Sequence, residues 1–315
     1  MEKEVVIDVE NLTKNYGYGR GVFDVSIKVH KGECYGYLGP NGAGKSTTIR
    51  HIMGFSKPQE GKITILGMDS FGNTENILQH VGYLPGEPAI PAGLDGMGFL
   101  RMMQDMRGER NDERLNYLLN LFQLNPNVSV KSMSLGEKRK LAVVAAFMND
   151  PDVLILDEPT SGLDPVMQQV FIHFILDEKK RGKTILLSSH IFSEVDATCD
   201  TISIIKDGKH VSTFKAEDLK ENDVSTYNFR LADKENLEKL VKQNKIGEII
   251  DVNKKRLIVS IKVKKEQYRG FFASLSDIKI TEFDEKPFTL QDYFMSFYKE
   301  EKTFGGLSGV EGNKK

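Results

Sequence analysis

The 315-residue chain balances 43 lysines and arginines against 45 aspartates and glutamates, a formal net charge of -2, so it lacks the positive surplus that nonspecific nucleic-acid binding needs. At 39% hydrophobic and 28% charged residues it has ordinary globular composition, with length for one large domain and a smaller one. No run approaches the roughly 18 apolar residues that cross a bilayer, so any membrane role is expected to be peripheral.

Residues 1–8 interleave acids with aliphatics and lack the basic-then-apolar order of a signal peptide, so the chain is expected to stay in the compartment where it is made. Cys34 and Cys199 lack metal-ligand spacing and fit a reduced cytosolic protein. Residues 4–10 and 22–29 alternate apolar with polar side chains and predict half-buried strands. The run 34–38 predicts a buried strand, followed by a glycine-rich loop and a helix over 47–53. From about 86 to 148 the spacing turns helical, with Leu115, Leu118, Leu119 and Phe122 on one face and Leu141, Val144, Ala145 and Met148 on another, which predicts an inserted helical subdomain. The aliphatic runs 153–156 and 184–187, separated by a helix over about 166–181, predict parallel strands inside an α/β layer. Beyond residue 214 the order is β-α-β-β-α-β, that of a small ferredoxin-like unit, and a short helix follows near 290–298. The layout is therefore a domain over 1–213, an α+β domain over 214–300, and a glycine-rich polar tail over 301–315 expected to be disordered.

The segment Gly39-Pro40-Asn41-Gly42-Ala43-Gly44-Lys45-Ser46-Thr47 fits the P-loop pattern. Its glycines let backbone N–H groups turn upon phosphate oxygens at a helix N-terminus, Lys45 reaches the β- and γ-phosphates, and the Ser46 hydroxyl is placed for Mg²⁺. Asp157 ends an aliphatic strand, where a carboxylate can complete a Mg²⁺ site. Glu158 follows at once, placed to act on water as a general base. Taken alone, this pair reads more often as the start of a polar loop.

The continuation Asp157-Glu158-Pro159-Thr160-Ser161-Gly162-Leu163-Asp164, with Ser188-Ser189-His190 after the next strand, resembles the ABC transporter ATPase family, over roughly residues 4–213. The resemblance implies an α/β P-loop NTPase cassette with a RecA-like core, an antiparallel β subdomain and an inserted helical subdomain. It implies ATP and Mg²⁺ as ligands, with Asp157 on the metal, Glu158 as base, His190 on the γ-phosphate, and 161–164, including Asp164, as the loop that crosses to a partner cassette. Met133-Ser134-Leu135-Gly136-Glu137-Lys138-Arg139 stands where the family has its signature Leu-Ser-Gly-Gly-Gln, whose helix N-terminus meets the nucleotide of the other subunit. Ser134 and Gly136 are retained, Leu135 replaces a glycine, and Glu137 replaces the glutamine. Tyr16 matches the aromatic that stacks on adenine, with Tyr18 as the nearby alternative. After Pro85 the family's usual glutamine is Gly86, and Glu87 is the candidate to take over at the metal.

These matches lead to an ATPase subunit that powers separate transmembrane permease subunits and pairs with a second cassette, as homodimer or heterodimer, in the cytoplasm at the inner face of the cell membrane. The expected permease contact lies around 86–105, through Leu94, Met97, Phe99, Leu100, Met102 and Met103, residues whose periodicity equally fits ordinary subdomain core. Gly86-Glu87 and the ending Phe288-Thr289-Leu290-Gln291-Asp292-Tyr293-Phe294 resemble bacterial ABC-2-type exporter ATPases of drug, peptide and antibiotic-resistance systems. Import is the second reading within transport, and a soluble ABC ATPase of translation or DNA repair is the reading from another class. The C-terminal unit is also compatible with a regulatory role.

Overall fold

Alternation of apolar and polar residues pairs β1 (Val5–Gly17) with β2 (Arg20–His30) as an antiparallel hairpin in the computed structural model, which describes residues 4–220, 224–286 and 289–302. Val25, Ile27 and Val29 are buried while Ser26 and Lys28 between them are exposed, the period of a strand with one wet face. β3 (Cys34–Leu38) is buried throughout and belongs to a second sheet. It leads through the glycine-rich loop into α1 (Lys45–Ile52), which begins two residues earlier than the sequence predicts. β4 (Glu60–Ile65) and β5 (Met68–Asp69) then return to the first sheet, giving the order β2-β1-β4-β5. α2 (Thr74–His80) leads to β6 (Val81–Leu84), an edge strand of the second sheet.

The inserted segment supplies α3 (Gly96–Arg107), α4 (Asp112–Leu121) and α5 (Leu135–Phe147). Each starts where a side chain accepts a first-turn N–H: Asp95 from Gly98, Asn111 from Arg114 and Ser134 from Glu137. The chain continues through β7 (Val153–Asp157), α6 (Pro165–Lys180), β8 (Thr184–Ser189), α7 (Phe192–Thr198), β9 (Thr201–Lys206) and β10 (Lys209–Lys215). The second sheet has the order β10-β9-β3-β8-β7-β6, parallel except for β10. β7 and β8 are buried along their whole length, which is why they read as unbroken apolar runs. Because β3, β8 and β7 are neighbours, the loops leaving their C-terminal ends converge, and open α/β sheets hold ligands at that edge. Buried Glu178 of α6 accepts from Arg114 of α4 at 2.6 Å, anchoring the helical insert to the sheet layer.

The chain divides into two units, Met1–Ala216 and Glu217–Lys315, and α8 (Ala216–Lys220) contains the division. The second unit runs β11 (Val224–Leu231), α9 (Lys234–Gln243), β12 (Glu248–Asn253), β13 (Ile258–Lys264), α10 (Tyr268–Ala273) and β14 (Ile280–Lys286). Its sheet is wholly antiparallel in the order β12-β13-β11-β14, the ferredoxin-like arrangement. Tyr227, Phe229 and Leu231 pack with Leu237, Leu240, Val259, Ile261 and Phe271 to form its core. α11 (Leu290–Lys302) begins with a reciprocal cap, Thr289 N to Asp292 Oδ2 and Asp292 N to Thr289 Oγ1, both 3.1 Å. Of the tail expected over 301–315, residues 303–315 lie outside the described residues.

Candidate active site

The loop between β3 and α1 starts at Gly39, whose N–H donates to the Ser189 carbonyl at the end of β8 at 3.3 Å. It ends at Gly44, where φ is 109° and an added Cβ would stand 2.8 Å from Val22 Cγ1, so both backbone and space call for glycine. No side chain caps α1. Its first-turn N–H groups and the positive end of its dipole thus serve the cavity that Gly44, Lys45, Ser46 and Thr47 line. That cavity measures about 740 Å³, with Asn41 and Gly42 of the same loop, Glu158 beside it, and Tyr16, Arg20 and Asp207 on its other walls. Pro40 and Ala43 shape the turn behind it, Ala43 N donating to Pro40 O at 3.1 Å. Tyr16 is half exposed on this wall, whereas Tyr18 is 99% exposed and absent from the lining.

A second cavity of about 540 Å³ shares Asn41, Ser46 and Glu158 with the first and adds Pro85, Gly86, Glu87, Asp157, Ser161 and His190. Lys45, 5% exposed, donates to the Gly39 and Pro40 carbonyls at 2.6 and 3.1 Å and pairs with Glu158 Oε1 at 3.0 Å. Glu158 Oε2 lies 2.6 Å from His190 Nδ1. The Glu158 backbone is left-handed, φ 50°, and its N–H donates to Ser188 O at 3.0 Å, so the side chain is held by neighbours on two strands' loops. Asp157 is buried, and its Oδ1 accepts from Ser188 Oγ at 2.5 Å.

A Cβ on Gly86 would stand 3.1 Å from Asp157 Oδ2, so the glycine keeps one side of this carboxylate clear. Among the described residues no three His, Cys, Asp or Glu side chains cluster as metal ligands. The protein therefore offers a cation Ser46 and Asp157 in one cavity, with the exposed Glu87 on the same wall. One or two protein oxygens, completed by phosphates and water, is the set that Mg²⁺ takes, so the donors fit it. Gly86→Gln is expected to press on the Asp157 carboxylate and lower ATP turnover about tenfold, with ATP affinity changed by no more than about twofold. Steady-state hydrolysis beside an equilibrium ATP titration checks this, and unchanged turnover would show that the loop simply yields.

The signature residues do not join either cavity. Ser134 caps α5, its Oγ accepting from Glu137 N at 3.2 Å while Glu137 Oε2 accepts from Ser134 N at 2.8 Å. Glu137 thus completes a capping box, and its bonds from the Ser134 backbone and hydroxyl hold its carboxyl below the usual range. Gly136 lies beside the loop of 161–164, where an added Cβ would be 3.2 Å from Gly162 O. Asp164 caps α6, accepting from Val166 N and Met167 N at 3.0 Å each.

Two further residues join these segments, and neither has a role that sequence reasoning assigns. Arg139 of α5 is 2% exposed; it donates through Nη1 to Pro85 O at 2.7 Å, through Nε to Ser161 O at 3.0 Å, and through Nη2 to Glu158 O. Burial lowers its pKa, and the carboxylates of Asp157, Glu158 and Glu194 oppose that. Its sequence signal is a guanidinium within an otherwise apolar helix face. Glu194 of α7 is buried, which pushes its carboxyl up to about 7 against the bond from Ser189, with Glu158 adding to the rise.

Comparison with known proteins agrees with this geometry. Residues 22–161 match the ABC transporter family. The chain is 35% identical over 244 residues to the bacitracin transport ATP-binding protein BcrA of Bacillus licheniformis, covering 76% of this chain and 79% of that one. It is 31% identical over 299 residues to the Nod factor export ATP-binding protein I of Rhizobium leguminosarum bv. viciae, covering 92% and 94%, a match that takes in the second unit. A solved ATP-binding subunit of an ABC transporter is 31% identical, with a TM-score of 0.64 over 69% of this chain and 92% of that one. A glycine-rich loop, two carboxylates and a histidine at the ends of three adjacent strands, in a chain this similar over this length, belong to one lineage: the chain is a member of the ABC transporter ATP-binding proteins, a family of ATPases.

Proposed function

We propose that this chain is the nucleotide-binding subunit of an ABC exporter, which closes on a second cassette around ATP and drives a separate permease from the cytoplasmic face of the membrane. The carrying observation is that Ser134 and Gly136 lie outside the phosphate cavity of their own chain, at a helix start where Leu135 is 72% exposed. A helix N-terminus of this kind suits an anion, and in this reading the anion is the γ-phosphate held by another subunit.

In this reading the loop 39–47 and Lys45 hold the phosphates, Tyr16 stacks on the adenine, and Ser46 and Asp157 hold Mg²⁺ with Glu87 beside them. The metal neutralises phosphate charge when bound. Glu158 takes the proton from the attacking water, and His190 orients the γ-phosphate and Glu158 together. Asp164, by capping α6, fixes the loop offered to the partner cassette.

An apolar groove of about 750 Å³ supports a permease contact, with Val81 and Tyr83 from the sheet layer facing Ile90, Phe99, Met103 and Ala145 from the insert. Of the six residues expected there, Phe99 and Met103 line it, while Leu100 is fully buried. Among the described residues no helix is long and apolar enough to cross a membrane. The relatives named for bacitracin transport and Nod factor export favour export of a peptide, drug or lipid-like cargo over import. Affinity capture from detergent-solubilised membranes of the native host is expected to retain a polytopic membrane protein. Met103→Glu is expected to lose it, with ATP binding kept. Recovery of ribosomes or DNA instead would move the chain to the soluble ABC ATPases.

A further inference from the structure

Ser189 ends β8, and its hydroxyl makes two bonds that bracket His190. Oγ accepts the Ile191 N–H at 3.0 Å and donates to Glu194 Oε2 at 2.5 Å. The Ser189 carbonyl also receives the Gly39 N–H at 3.3 Å, so this one residue fixes the start of the phosphate loop and the turn that carries His190. Glu194 is 1% exposed and lines neither cavity of the site. Its other oxygen, Oε1, is buried without a hydrogen-bond partner among the described residues. The carboxyl therefore holds, through Ser189, the turn whose His190 meets Glu158 at 2.6 Å.

Burying a carboxyl is unfavourable unless its oxygens are bonded, and a simple space-filling role would be met at lower cost by an apolar side chain. What an apolar side chain cannot do is accept the Ser189 proton and so fix the direction of the His190 turn. We infer that Glu194 is a positioning residue for ATP hydrolysis, fixing the His190 turn through Ser189 so that His190 stays in register with Glu158. The inference rests on the roles of Glu158 and His190 proposed above.

The test uses the full chain and compares wild type with Glu194→Ala, Glu194→Gln, Ser189→Ala, the Ser189→Ala/Glu194→Ala pair and Glu158→Gln. Misplacing a catalytic pair without removing it is expected to lower kcat of Glu194→Ala by roughly ten- to a hundredfold, with KM and the equilibrium affinity for ATP within about twofold of wild type. Glu194→Gln is expected to recover kcat to within about threefold, because a carboxamide oxygen still accepts the Ser189 hydrogen. Ser189→Ala should fall in the same direction, and the pair should lose no more than the worse single variant, since both remove one bond.

Wild-type kcat in Glu194→Ala overturns the proposal, and so do equal losses in the Ala and Gln variants accompanied by loss of ATP affinity. If Glu194→Ala does not fold, Ser189→Ala decides, and wild-type kcat there counts against the proposal. Glu158→Gln separates the two levels. Undiminished hydrolysis in that variant removes the reading beneath, whereas its loss alongside a fully active Glu194→Ala removes only the role of Glu194.

Discussion

Glu158→Gln is expected to bind ATP about as tightly as the wild-type chain and to hydrolyse it roughly a hundred- to ten-thousandfold more slowly, the range over which a positioned general base acts. The carboxylate stands with one oxygen 3.0 Å from Lys45 Nζ and the other 2.6 Å from His190 Nδ1, on the wall shared by both cavities. In the proposed mechanism, phosphates at Lys45 would compete for the same cation and free Oε1 to face the water side of the γ-phosphate. Glutamine has nearly the same shape and keeps the surrounding backbone bonds, including Glu158 N to Ser188 O, so binding survives. It has no basic oxygen pair to take a proton, so the chemical step does not. Slow hydrolysis also traps the closed state, and the variant should run as a dimer on gel filtration with ATP and as the wild-type species without it. Turnover within about tenfold of wild type would remove Glu158 from the base role.

How much of this was legible in the chain depended on how local each feature is. β3, β7 and β8 announced themselves because strands covered on both faces are unbroken apolar runs. β4, the two-residue β5 and β6 did not, since they are short, and Gly61 and Gly82 interrupt what alternation they have. The β9–β10 hairpin left its signal in Asp207-Gly208, a favoured turn pair, which could have pointed to Asp207 as part of the nucleotide cavity wall. The glycine-rich loop was readable because its pattern lies in nine consecutive residues. The contacts of Arg139 and Glu194 were not, because Arg139 reaches segments as far away as Pro85, 54 residues distant, and Glu194 is buried against the Ser189 hydroxyl, a contact that no spacing signals. Glu137 shows the opposite limit. Against the family pattern it looked like a lost glutamine, yet with Ser134 three residues before it the pair forms a capping box that the sequence already contained.

Lys45→Ala is expected to weaken ATP binding by about ten- to a hundredfold, the value of one charge-assisted bond to a phosphate. The ammonium is nearly buried, and the carbonyls of Gly39 and Pro40 on one side and Glu158 on the other define its position before any nucleotide arrives. Such preorganisation means that little side-chain entropy remains to be lost on binding. Lys45→Arg is not expected to rescue it. A planar guanidinium cannot occupy a slot set by two carbonyl oxygens 2.6 and 3.1 Å from a single nitrogen without displacing the loop that carries them. Removing the lysine also leaves Glu158 facing His190 alone, so Lys45→Ala should lose hydrolysis even when ATP is raised to saturate the weakened site. The Glu158→Gln background isolates binding from turnover. There, titration with a fluorescent ATP analogue is expected to show the same fold-loss for Lys45→Ala, and an unchanged dissociation constant would mean that the backbone N–H groups of the loop, rather than Lys45, hold the phosphates.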